Sequence, residues 1–271
     1  MKKNILLLLC LCFFAGCDII APDDRIIPVE DLPPQKTVLL EDFTGWRCTN
    51  CPDAATVARE LQTFYGHRVV VVSLHPEGSY WTEPVGKALD LRSEAATAYY
   101  NFFGKPEAFP TGLVDRVAFA GKHLLDYNTW IRYTKERIVQ KQPLEISLTC
   151  AADTSTRQLT IEAEITATDV WNKGDVSYLL WLTESHIIGA QYVGGTARLD
   201  YEHNHVLRDA INGIWGESVV APAIGDKLNK NNTYAVPPKF VIGNCQVVGI
   251  LYLTETKEII NAFETSIEES N

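Results

Sequence analysis

The stretch Phe43-Thr-Gly-Trp-Arg-Cys-Thr-Asn-Cys-Pro52 sets Cys48 and Cys51 on the junction between an apolar run and a helical pattern. Thr37 to Phe43 reads as a buried strand. From Pro52 to Tyr65, Ala55, Ala58, Leu61 and Phe64 recur at helical spacing, and Gly66 follows as a stop. Arg68 to Leu74 is a continuous β-branched run, the kind found in a strand covered on both faces. Lys87 to Phe103 predicts a helix ending at Gly104, Phe109 to Val114 a short strand, and Asp126 to Gln140 a closing helix. Strands alternating with helices imply an α/β layer domain over residues 36–142.

The pattern changes after Pro143. Leu144, Ile146, Leu148 and Cys150 alternate with polar residues, as do Leu159, Ile161, Ala163 and Ile165. Val176 to Leu182, Lys239 to Ile242 and Gln246 to Thr254 predict further strands bounded by Gly, Asn or Pro, so residues 143–271 read as an antiparallel β-sandwich-like domain.

The amino terminus reads as an export signal. Lys2 and Lys3 precede the apolar run Ile5 to Phe14, too short to span a bilayer as a helix, and small residues follow. Phe14-Ala15-Gly16-Cys17 resembles a bacterial lipobox, in which the cysteine is acylated and becomes the new amino terminus. This makes residues 1–16 a signal peptide and residues 17–35, with four prolines, a tether from a membrane lipid on Cys17. The net charge of −10 and the lack of a basic cluster speak against nucleic acid as a partner.

Export places the remaining cysteines in an oxidising setting. A CxxC pair there can bind metal, form an inert bridge, or exchange disulfides. At a helix start, unpaired N–H groups and the positive end of the helix dipole favour a thiolate at Cys48, with Arg47 adding a cation. Cys51, one turn deeper, is placed to resolve a mixed disulfide. A structural zinc usually takes four ligands, and there is no second CxxC.

These residues resemble the thioredoxin superfamily over roughly residues 36–142. Asp42, six residues ahead of Cys48, matches the acid that lies beneath the cysteines in that superfamily and assists proton transfer. Trp46 is the aromatic near the pair, although Arg47 stands directly before Cys48 where the superfamily usually has tryptophan. Phe109-Pro110-Thr111 looks like the cis-proline loop that faces the disulfide and aligns substrate. The resemblance implies thiol–disulfide exchange with protein disulfides through a solvent-reachable Cys48, with no cofactor.

Other groups carry weaker readings. His203 and His205 lie on one face if their stretch is extended, the beginning of a metal site or two ordinary polar side chains. His75 closes a strand at the rim where α/β sites form. Tyr99, Tyr100, Phe102 and Phe103 read as core or as a peptide-binding surface. Cys150 and Cys245 share the apolar phase of their strands, either bridged to each other or as separate buried thiols.

The domain order, the lipobox, Leu39-Leu-Glu-Asp-Phe-Thr-Gly-Trp-Arg-Cys-Thr-Asn-Cys-Pro52 and Tyr201-Glu-His-Asn-His-Val-Leu-Arg-Asp-Ala-Ile-Asn-Gly-Ile-Trp-Gly-Glu217 together resemble the 28-kDa outer-membrane-protein family of Bacteroidetes. Members are exported lipoproteins with a thioredoxin-like domain followed by a β domain. The resemblance implies a cell-envelope location, most simply the outer membrane. It leaves two functions open: an oxidoreductase, or a binding or adhesion lipoprotein that uses the fold as scaffold.

Overall fold

The computed structural model describes residues 36–84 and 89–270. The signal peptide, Cys17 and the tether lie outside the described residues.

The first strand, β1 (Val38–Phe43), is buried along its whole length because both faces and both edges are covered. Helix α1 (Cys51–Tyr65) and a short turn carry the chain back to β2 (Val69–Leu74), parallel to β1 with Val38 opposite Val69. Helix α2 (Glu94–Phe102) starts on Ser93, whose hydroxyl accepts from the Ala96 amide; it is shorter than the run from Lys87 predicts. Strand β3 (Thr111–Val114) returns antiparallel on the other edge of β1, and α3 (Trp130–Ile138) follows. Val38, Leu40, Val69 and Val71 pack under α1 and α3, whereas Leu39, Phe43, Val70 and Val72 face α2. Of the four clustered aromatics, Tyr99, Tyr100 and Phe103 are core and Phe102 is exposed.

The strands beyond residue 143 are β4 (Leu144–Asp153), β5 (Gln158–Ala167), β6 (Val176–Glu184), β7 (Ile187–Val193), β8 (Thr196–His203) and β9 (Val206–Ala210). After them come β10 (Glu217–Val219), β11 (Lys227–Ala235), β12 (Cys245–Leu253), β13 (Ile259–Ser266) and β14 (Glu268–Ser270). Lys239 to Ile242 is not a strand: it is a turn running into a 3-10 segment, Ile242–Asn244.

The boundary expected at 142/143 does not divide the fold into separate bodies. The described residues form one compact unit. One large sheet runs β13-β12-β6-β9-β2-β1-β3, with β10 added on β6, so strands from both sides of that point share a ladder. A second sheet, β11-β5-β4-β14, packs on one face of β6 and β12 around Leu148, Ile161, Tyr178 and Val247. It is not wholly antiparallel, since β14 runs parallel to β4. The opposite face of β6 and β12 adds Leu179, Trp181, Val248 and Ile250 to the core under α2, which buries β6 throughout. Strands β7 and β8 form a separate two-stranded ribbon.

Charged groups stitch this unit together. Arg116, fully buried, donates two hydrogen bonds of 2.8 Å to the Glu41 carboxylate, also fully buried. Its guanidinium lies among the rings of Tyr99, Trp181 and Tyr252. The neighbouring Asp115 accepts from Arg137 at 2.8 Å and lies 3.2 Å from the Lys36 ammonium, which in turn donates to the Ile259 and Ile260 carbonyls of β13. Removing one partner of a buried ion pair leaves a desolvated charge, at a cost of about 3–5 kcal/mol. Glu41→Gln is therefore expected to lower the urea-unfolding free energy by that order. Lys227→Ala, which breaks the exposed pair with Glu164, is expected to leave it nearly unchanged.

Candidate functional site

The end of β1 and the start of β3 are paired, Phe43 opposite Thr111, so the loop bearing the cysteines and the loop bearing Pro110 leave the sheet at the same end. The Phe109–Pro110 peptide bond is cis. Phe109 shares an apolar cluster with both cysteines, and its ring sits 6.3 Å from that of Phe43 and 6.2 Å from that of Tyr100. Cys51 opens α1, with Pro52 in the first turn where its missing N–H is no loss.

Cys48 and Cys51 are joined as a disulfide. The exposure expected of Cys48 is not found: it is 1% exposed and Cys51 2%. The backbone of the cysteine loop is bonded from far along the chain. Gln191 on β7 donates from Nε2 to the Gly45 and Cys48 carbonyls, at 3.1 and 2.8 Å, and the Tyr192 amide donates to the Trp46 carbonyl at 2.9 Å. On the other side the Arg47 amide donates to Trp81 O, while its guanidinium bonds Glu83 O and stacks on Tyr80. That cation is thus engaged by its own neighbours.

Behind the disulfide lies a polar chamber of about 130 Å³, lined by Asp42, Cys51, Ser73, His75, Gln191 and His203 among others. Strand alternation turns Asp42 to this side of β1 while Glu41 turns to the other. Asp42 is buried and its Oδ1 has no hydrogen-bond partner. Burial alone pushes its carboxyl up to about 8, since nothing stabilises the charged form. His75, placed by sequence at the rim, is instead buried beside the chamber with both ring nitrogens unpartnered. Burial, and next the nearby His203, hold its imidazole neutral, well below the usual histidine value.

His203 and His205 do not lie on one extended strand, since β8 ends at His203 and β9 begins at Val206, although both line the chamber. His203 is buried on the ribbon, its Nε2 3.2 Å from Ala190 O, and burial lowers its pKa to about 4. His205 lies in a left-handed backbone conformation, φ 56°. Among the described residues no group of three or more metal-ligating side chains is assembled. Cys150 and Cys245 are not bridged: each is a free buried thiol, pushed up to about 12 by burial.

The sequence reading placed Trp46 near the pair but did not place Gln191 and the ribbon around the site. Trp46 is fully buried, its ring 5.0 Å from His203 and its Nε1 without a partner. Gly194-Gly195, both at positive φ between β7 and β8, is the hairpin signal that locates the ribbon.

The family profile of outer membrane protein Omp28 matches residues 96–271, well over half of the chain. The chain belongs to the Omp28 family. Family membership places it in the cell envelope, at the outer membrane. Among the described residues no helix is long and apolar enough to cross a membrane.

Among solved structures, HBP35 of Porphyromonas gingivalis is similar with a TM-score of 0.67 at 18% identity, covering 87% of this chain and 77% of that one; this shows a shared fold. A domain of the outer membrane lipoprotein Omp28 from Porphyromonas gingivalis aligns at 21% identity over 49% of this chain and 93% of its own, with a TM-score of 0.36. A protein of Agrobacterium tumefaciens aligns at 17% identity over 87% and 96%, with a TM-score of 0.49. No curated protein matches the chain.

The Asp42 environment predicts a pH signature. Its carboxyl titrates near the usual value, about 4, when unfolded and at about 8 when folded. Between those values the native state keeps a proton that the unfolded chain releases, so stability falls as pH rises, by up to about 1.4 kcal/mol per pH unit. Asp42→Asn lacks this loss. Urea unfolding of the disulfide-intact variant should show an advantage over the parent chain that grows from pH 4 to pH 8 and then levels off.

Proposed function

We propose that this Omp28-family protein is an envelope thiol–disulfide oxidoreductase, tethered by lipid on Cys17, whose residues 36–142 are a thioredoxin-like module. The observation that carries the reading is Asp42. A buried carboxyl with an unpartnered oxygen costs stability and does nothing for a passive bridge. Lining the same chamber as Cys51, it suits a group that takes up and returns a proton near neutral pH. The β1–α1–β2–α2–β3–α3 order supports the module.

In the reduced form the Cys48 thiolate attacks one sulfur of a partner disulfide, forming a mixed disulfide and expelling the partner's first thiolate. The Asp42 carboxylate takes the proton of the Cys51 thiol. The Cys51 thiolate then attacks Cys48 Sγ, closing the Cys48–Cys51 bond and releasing the partner's second sulfur. The partner gains two electrons and this protein loses them. Pro110 shapes the loop against which an extended partner chain lies, and no cofactor enters.

A second reading is favoured by the burial of both sulfurs: the bridge pins the start of α1 in a binding or adhesion scaffold. Trapping separates the two. Cys51→Ser expressed in the envelope should accumulate disulfide-linked adducts through Cys48 that vanish on reduction and in the Cys48→Ser, Cys51→Ser double variant. An absence of adducts supports the scaffold.

A further inference from the structure

Ribbon β7–β8 is hydrogen-bonded into neither sheet. A two-stranded hairpin is marginal by itself, so its position depends on what it lies against. It docks on the cysteine loop by the Gln191 and Tyr192 hydrogen bonds, and through Ile187 and Ala190 packed with Trp46, Leu91 and Val206. Gly189 passes so close over Trp46 that a Cβ there would stand 2.9 Å from Cζ3. Both stalks turn through left-handed backbone at histidine, His186 (φ 58°) and His205 (φ 56°), two corners where the ribbon leaves and rejoins the large sheet.

The bonds it makes have a particular chemistry. Tyr192 N–H and the Gln191 amide fill the carbonyls of Gly45, Trp46 and Cys48, a short row of backbone acceptors leading to the first cysteine. These are groups that an extended polypeptide, with its own N–H donors, would use. We propose that the β7–β8 ribbon is a built-in stand-in for a substrate strand: it occupies the carbonyl row of the loop from Gly45 to Cys48, shields the disulfide, and must lift for an extended partner chain to take its place.

This inference rests on the exchange reading, but its test is separate. The readout is the rate at which dithiothreitol reduces Cys48–Cys51 in the full chain, followed by alkylation and mass shift. Gln191→Ala removes the side-chain bonds to Gly45 O and Cys48 O, and Gly189→Ala wedges the ribbon off Trp46. Each is expected to speed reduction roughly tenfold or more. Leu199→Ala, on the exposed outer side of the ribbon, should leave the rate unchanged.

Should either variant fail to fold, the unaltered chain still decides. Lifting a ribbon exposes little surface, so below the unfolding transition the reduction rate should vary only weakly with urea. A steep dependence matching global unfolding overturns the proposal, as do unchanged rates in folded Gln191→Ala and Gly189→Ala. Faster reduction without trapped adducts in Cys51→Ser keeps the cover and removes the exchange reading; trapped adducts with unchanged rates do the reverse.

Discussion

The Glu41–Arg116 pair is the constraint around which the rest is arranged. A guanidinium taken wholly out of water is tolerable only with its counter-charge in bidentate contact, and here the carboxylate comes from the middle of β1. Arg116 follows β3, and the rings that surround it come from α2, β6 and β12. One ion pair thereby fixes where the α/β segment meets the strands contributed by the later half. Asp115, directly before it, does the same on the side of α3 and β13 through Arg137 and Lys36.

Adjacent carboxyls on β1 meet opposite fates. Glu41 is paired with Arg116, while Asp42, on the other face, has no paired cation, and burial raises its carboxyl to about 8. The difference is the environment each face supplies, a charged partner on one side and a polar chamber on the other. Structural burial explains the first. The second has no such structural partner.

Much of the first segment was legible. The strand, helix and β-branched run around the cysteines have local causes, and Asp42 lines the same chamber as Cys51. What failed depended on distant residues. The Cys48 carbonyl is bonded by Gln191, 143 positions later, and nothing in the polar-apolar pattern near the cysteines encodes that contact. The run Val176–Leu182, broken only by Ser177, held a clue against two separate domains, since a strand facing water on one side would alternate. Strand β11, Lys-Leu-Asn-Lys-Asn-Asn-Thr-Tyr-Ala, escaped notice because an edge strand this polar shows little of the usual β composition.

The two free thiols at Cys150 and Cys245 bear on how the chain survives its own folding. While unfolded among oxidants, four cysteines admit three complete pairings. Once the two sheets close over Cys150 and Cys245, neither sulfur ionises readily or meets a partner. Packing thus acts as a chemical safeguard, ending a race between collapse and scrambling with Cys48 and Cys51 as the couple that is joined.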